Sequence, residues 1–369
     1  MLEILSCAKG KNGYEIELKE NIFYPDGKGG QLGDRGVIGE AKILEVKENR
    51  VIIDKELELG KYNFSIDENR RRDIAEQHTA QHLFSAIAYT DYQLNTVGFR
   101  MAEEYTTVDL DSNNISNETI ANIEKKANDI IEKAIQLKIY ILNHQDAMKV
   151  EGLRRAIKEK ITGDIRFVEI PGVDLGACAG FHVENTKDIR LFKLINYEKI
   201  KGNYTRFYFL AGNRAINDYG FKHNLSRELC HTFSCKNNEI IEMVNKFLDE
   251  KKKSEGELRN LASNYAELLS EKLKKEAEII GDKKVIVYIG DKFIAQSLGR
   301  YIDLDEYILI TGRDENYSMM SNKINCKEFI KCLINIHSEI KGGGNESKGN
   351  FKGKISKDEL LDNLKTFLS

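Results

Sequence analysis

Two histidines four residues apart, His78 and His82 in DIAEQHTAQHLFSAIAYT, are the first residues of this 369-residue chain whose spacing could do chemistry. In an α-helix, positions i and i+4 share one face, so both imidazoles come within reach of a single metal ion. A helical histidine pair alone is as well read as two packed or solvated side chains. A second pair changes that reading. Cys178 and His182 form C-x3-H in FVEIPGVDLGACAGFHVEN, a glycine-rich stretch between two expected strands, where a loop can turn both donors to one point. One thiolate and three imidazoles match the ligand set and number of a tetrahedral zinc site. The expected cofactor is therefore Zn2+, held by His78, His82, Cys178 and His182.

The elements that must position these residues are legible from periodicity. Residues 1–70 alternate short β-like stretches with glycine-rich turns and read as a β-rich, barrel-like N-terminal domain. From Asp73, a plausible N-cap, the pattern becomes helical, with Ile74, Leu83, Phe84 and Ile87 on one apolar face. A strand at YTTVDLD, a helix at ETIANIEKKANDIIEKAIQ and strands IRFVEI, IRLFKLINYEKI and YTRFYFLAG make residues 71–236 an α+β zinc-binding domain. Residues 237–282 hold no proline, and Ile240, Met243, Phe247, Leu258, Leu261, Tyr265 and Leu268 recur at helical spacing, which predicts a long helical linker or coiled coil. Residues 283–369 read as a small C-terminal α/β domain with a glycine-rich loop, KGGGNESKGNFKG. The fold class is α+β overall.

Composition narrows the setting. Hydrophobic residues at 41% and charged residues at 31% describe a globular chain, and no apolar run reaches the ~20 residues that span a bilayer, so no membrane role is expected. The N-terminus does not read as a signal peptide, and the six scattered cysteines read as reduced thiols, both of which point to the cytoplasm. A net charge of −3 from 56 basic and 59 acidic residues means that any RNA contact must rest on locally grouped cations.

HTAQH followed about a hundred residues later by CAGFH resembles the signature of the alanyl-tRNA synthetase editing domain and of its free-standing relatives, the AlaX family, here in its long form. FYPDGKGGQLGDRG at 23–36 is similar to that family's glycine-rich FYPxGGGQxGDxG stretch, and GFRMAEEYTTVDLD at 98–111 looks like a third motif in the right order. The 237–282 helix and the glycine-rich tail look like the C-terminal domain of alanyl-tRNA synthetases. Two departures bear on pocket shape: Ala179 and Phe181 stand where the synthetases usually have CGGTH, and Lys28 interrupts the glycine run.

The resemblance implies a zinc-dependent aminoacyl-tRNA deacylase acting on mischarged tRNA(Ala), with serine and glycine as the amino acids removed. A pocket for alanine cannot exclude glycine by size, since one methylene or hydroxyl gives only ~1–3 kcal/mol of discrimination, so a hydrolytic second sieve is the physical remedy. That sieve must hydrogen-bond the seryl hydroxyl in a way an alanyl methyl cannot match. In the family the glutamine of the glycine-rich motif lies near the aminoacyl pocket, which points to Gln31, with Thr96 a second candidate by approximate position.

Zinc could activate water or orient the ester, and four protein ligands leave no open position unless one is loose, His182 being the loop-borne choice. For the tRNA acceptor end, basic groups stand at Arg70, Arg71, Arg72 and at Arg154, Arg155, Lys158, Lys160. The segment with Lys341, Gly342, Gly343, Gly344 and Lys348 is implicated in tRNA binding in the resembling family, which also allows a homodimer through the C-terminal half. The competing reading is a non-catalytic tRNA-binding protein with a structural zinc. A full ligase is disfavoured because only ~70 residues precede the histidine helix. A metal or redox site at LCHTFSCKNN lacks a complementary second half.

Overall fold

The computed structural model describes residues 1–157 and 163–369, so Lys158 and Lys160 lie outside the described residues. The chain divides into two compact units, Met1–Glu228 and Leu229–Ser369.

The first unit opens with a seven-stranded antiparallel sheet in the order Gly60–Tyr62, Leu2–Lys9, Tyr14–Leu18, Val51–Ile53, Ala41–Val46, Gly36–Ile38, Phe64–Ile66. Its two edge strands are separated only by Asn63, so the sheet comes back nearly on itself and forms the barrel-like shape expected. Alternating inward residues such as Ile4, Ile16, Ile38, Ile43 and Ile53 fill its interior.

The histidine helix, Glu68–Tyr92, starts earlier than Asp73. Asp67 is the N-cap, its side chain accepting from the Arg70 N–H at 3.0 Å. Asp73 instead takes the guanidinium of Arg214 through its carboxylate. The expected one-sided apolar face is also corrected: residues 74–88 are all buried, including Glu76, Gln77, Thr79, Gln81 and Ser85. A helix buried on every side must satisfy its polar side chains internally. Gln77 does so by exchanging two hydrogen bonds with the backbone of Ala211.

This helix and the helix Asn117–Glu132 cover a four-stranded antiparallel sheet ordered Phe192–Ile200, Tyr204–Ala211, Thr106–Leu110, Thr96–Met101. Phe84, Phe192, Phe207 and Phe209 meet in its core with centroids 5.1–6.1 Å apart. A separate three-stranded sheet, Lys138–Leu142, Ile165–Ile170 and Asp174–Ala177, delivers the cysteine loop.

The second unit contains the helix Ile240–Lys275 and a six-stranded sheet ordered Glu278–Ile280, Lys283–Ile289, Tyr307–Arg313, Asn316–Met320, Lys348–Lys352, Lys341–Gly344. Only Lys283–Ile289 and Tyr307–Arg313 pair in parallel, and the short helix Lys292–Leu298 lies in their crossover. The glycine-rich tail is a β-hairpin rather than a loop. Glycine is needed there because a Cβ at Gly342 would lie 2.5 Å from the Asn350 carbonyl oxygen.

Candidate metal centre

His78 and His82 project from the buried middle of the histidine helix, while Cys178 follows the strand Asp174–Ala177 and His182 lies in the loop beyond it. The ligating atoms of these four residues all lie within 4.8 Å of one another, the only such group of three or more among the described residues. The Cys178 Sγ is 3.5 Å from His78 Nε2 and 3.2 Å from His182 Nε2.

Every histidine is oriented by a partner on its far nitrogen. His78 Nδ1 donates to Gln31 Oε1 at 2.7 Å, and His82 Nδ1 donates to Asp174 Oδ2 at 2.8 Å. His182 Nδ1 is 3.1 Å from the Thr79 hydroxyl, which also accepts the Val183 N–H at 3.2 Å. An amide oxygen and a carboxylate can only accept, so Nδ1 of His78 and of His82 must carry the proton, and Nε2 is left to face the centre. Ligands fixed in this way, with a soft thiolate among them, could hold a metal ion of the zinc type.

The electrostatics suit that donor set at Cys178, His78 and His182 and run against it at His82. Burial alone would raise the Cys178 thiol, but the facing imidazoles, His182 first and then His78 and His82, hold it far below the usual thiol range. Burial pushes His78 and His182 down towards the neutral imidazole a metal requires. Burial opposes protonation of His82 too, yet the facing Asp174 and Cys178 raise it. Asp174 is in turn gripped by Arg154, Nε to Oδ1 at 2.7 Å.

The glycine-rich stretch 23–36 is the floor of this centre. Asp34, fully buried, accepts from the Tyr24 N–H and takes the Arg71 guanidinium on both oxygens at 2.8 and 2.7 Å. Asp26 accepts from the N–H groups of Gly33 and Val46 and pairs with Arg35. These contacts present Gln31, whose Oε1 accepts from His78 and from the Phe181 N–H at 3.0 Å, tying the floor to both halves of the cluster. Gly180 packs against the His78 ring and Gln31 Oε1 so closely that a Cβ would overlap both. Arg166 holds the loop by donating to the carbonyls of Cys178 and Gly180, each at 2.8 Å.

Thr96 stands apart from this network: its hydroxyl donates to Ser85 Oγ at 2.7 Å, and Ser85 also accepts from Gln81. Asp174, Thr79 and Arg166 were not singled out from the sequence. The only hint for Asp174 and Thr79 is their place inside the motifs, four residues before Cys178 and one after His78.

A family model described as the threonyl and alanyl tRNA synthetase second additional domain matches residues 165–208, the stretch that carries Cys178 and His182. The mouse (Mus musculus) alanyl-tRNA editing protein Aarsd1 is 28% identical over 354 residues, covering 94% of this chain and 85% of that protein. The alanyl-tRNA editing protein AlaX-L of Pyrococcus horikoshii is 26% identical over 389 residues, covering 98% of this chain and 93% of that protein. Over nearly its whole length the chain is similar to alanyl-tRNA editing proteins, the long-form AlaX-L among them. The alanine–tRNA ligase of Rickettsia canadensis, 28% identical, aligns with 94% of this chain but over only 43% of its own length, as a larger protein carrying a related part would.

A cleft of about 930 Å³ opens beside His182, lined by the cations Arg71, Arg72, Arg166, Lys187 and Arg190 and by the acids Glu68, Glu76, Glu184 and Asp188. Of the basic residues expected to meet RNA, Arg70 is engaged by Glu103 and the Gly33 carbonyl, Arg71 by Asp34 and Arg154 by Asp174. Arg72 and Arg155 are exposed. In the second unit, Lys341 and Lys348 line a cleft of about 990 Å³ with Lys292, Arg313 and Lys352.

Proposed function

We propose that the chain hydrolyses the ester joining a wrong amino acid to tRNA(Ala), seryl first and glycyl second, at a zinc site formed by His78, His82, Cys178 and His182. The observation that carries this reading is the convergence of one Sγ and three imidazole nitrogens within 4.8 Å, beside an open cleft of mixed charge. Zinc bound there would supply Lewis-acid polarisation of the ester carbonyl or of a water. The chain's own residues supply the rest. Gln31 Nε2 is a buried donor without a partner among the described residues, which costs about 1–3 kcal/mol when left unmet. A seryl hydroxyl accepting from it recovers that cost, whereas an alanyl methyl cannot, and selection against correctly charged tRNA follows. Arg72 and Lys187 suit the phosphates of the acceptor end, and Lys341 and Lys348 suit backbone farther along the tRNA.

The apolar positions Leu258, Leu261, Tyr265 and Leu268 of the long helix are exposed at three- and four-residue spacing and suit a homodimer seam. Among the described residues no helix is long and apolar enough to cross a membrane, and the cytoplasm is the proposed location.

A second reading, a tRNA-binding protein with a structural zinc, is favoured by one feature: four protein ligands leave no open coordination position. Deacylation of seryl-, glycyl- and alanyl-tRNA(Ala) separates the two, with wild type measured beside a Cys178→Ala variant checked for folding and zinc content. Selective loss of the seryl and glycyl esters that requires Cys178 supports editing. Tight tRNA binding without hydrolysis moves the assignment to the structural reading.

A further inference from the structure

We infer that Cys230 and Cys235 form a redox-closable dithiol, a modification site on the turn that ends the helix Gly212–Phe233. The turn is built as a Schellman cap. Ser234 takes a left-handed φ of 50°, the Cys235 N–H donates to the Cys230 carbonyl at 3.0 Å, and the Ser234 N–H donates to the His231 carbonyl at 3.3 Å. This cap brings together the side chains of the residues joined by its outer hydrogen bond, usually two apolar ones. Here both are thiols, and both are free and half-buried. Their mutual approach also shows in the Cys235 thiol, raised by burial and by the facing Cys230. The Cys230 thiol donates to Asn237 Oδ1 at 2.9 Å, which holds it in the turn.

His231 does not convert the pair into a metal site, since no third donor joins them among the described residues. The other cysteines have no such arrangement: Cys326 is fully buried, and Cys7 and Cys332 lie on separate elements.

The chemistry balances with a small-molecule disulfide as oxidant. One cysteine thiolate attacks oxidised glutathione, forming a mixed disulfide and releasing one glutathione thiolate, which takes a proton. The second cysteine thiolate attacks the protein sulfur of that mixed disulfide, the intramolecular S–S bond forms, and the second glutathione leaves. Two electrons pass from the protein dithiol to the glutathione disulfide. The product staples the last turn of the helix to the start of the next segment.

The test uses the full chain loaded with zinc, incubated with oxidised glutathione at mildly alkaline pH, alkylated and digested with trypsin. Arg227 and Lys236 flank the pair, so both cysteines leave in one peptide, 228–236. The expected peptide is two hydrogens lighter and unalkylated, while Cys7 and Cys332 remain open to alkylation or carry glutathione. Closure should be roughly tenfold faster in the folded chain than in urea, because the cap replaces a chain search with proximity. In Cys235→Ser, Cys230 should stop at the mixed disulfide. Glutathione retained on both cysteines of the wild type, a fully alkylated peptide, or equal rates in folded and unfolded chains would each overturn the inference.

Discussion

The two glycine-rich segments, 23–36 and 341–353, look alike in sequence and are built for opposite purposes. In the first, Asp26, Gln31 and Asp34 stand beside or between the glycines, with Gln31 and Asp34 almost fully buried and all three committed to specific partners. In the second, Lys341 to Gly344 are exposed, and the strand is held mainly by backbone pairing to Lys348–Lys352. A glycine run permits close backbone approach, and the side chains between the glycines decide what that approach is for. The first segment positions His78, and the second offers cations to solvent.

The contrast breaks most visibly at Asp34. Asp34→Ala should destabilise the first unit by about 3–5 kcal/mol, because Arg71 loses its carboxylate and the Tyr24 N–H its acceptor. Urea denaturation followed by circular dichroism measures it, and a loss under ~1 kcal/mol would mean that the floor is not fixed by this pair.

Gln31→Ala should act on the metal rather than on the fold. Removing the acceptor of His78 Nδ1 should weaken zinc binding by about 10- to 100-fold, as other outer partners of metal-bound histidines do. Competition with a chromophoric chelator reads this directly, and unchanged affinity would remove Gln31 from the support of the site. Gly180→Ala should weaken zinc by a similar factor through overlap with the His78 ring.

At the other segment, Lys341→Ala with Lys348→Ala should leave zinc content and unfolding unchanged. It should lower tRNA affinity and reduce the slope of log affinity against log salt by about 1 for each phosphate that is no longer neutralised. An unchanged slope would exclude these lysines from phosphate binding.

The smallest effect is expected from acid. Burial alone would raise Asp26, but Arg35 and the N–H groups of Val46 and Gly33 more than offset it and leave its carboxyl below the ordinary value. A carboxyl whose folded pKa is depressed contributes stability that is full above the unfolded value, about 3.9, and is lost as pH falls through the folded pKa. Asp26→Asn should therefore flatten the loss of stability below about pH 4, seen as a smaller shift in the urea midpoint between neutral and acid conditions.

The four ligand candidates were legible because their spacing follows local rules: i and i+4 on a helix, and a short loop between strands. What supports them was not. Gln31 meets His78 across 47 residues, Asp174 meets His82 across 92, and Thr79 meets His182 across 103, and no local period announces such pairs. Gln31 stood out as a substrate contact, yet its oxygen is bound to His78 and only its nitrogen remains for a ligand. The helix start at Asp73 was misplaced because an aspartate before an apolar stretch reads as a cap, whereas here it serves Arg214, 141 residues away. The glycine tail reads as a loop because glycine is a poor strand former, and its hairpin exists because the neighbouring strand leaves no room for a Cβ.

If the four-residue cluster holds zinc, hydrolysis should depend on it. The direct measurement follows zinc content and seryl-tRNA(Ala) deacylation in one preparation, before chelation, after chelation and after zinc is restored. One zinc per chain, with deacylation lost and regained in step with it, is the predicted result. Hydrolysis that persists in metal-free, folded protein would show that the cluster acts without zinc.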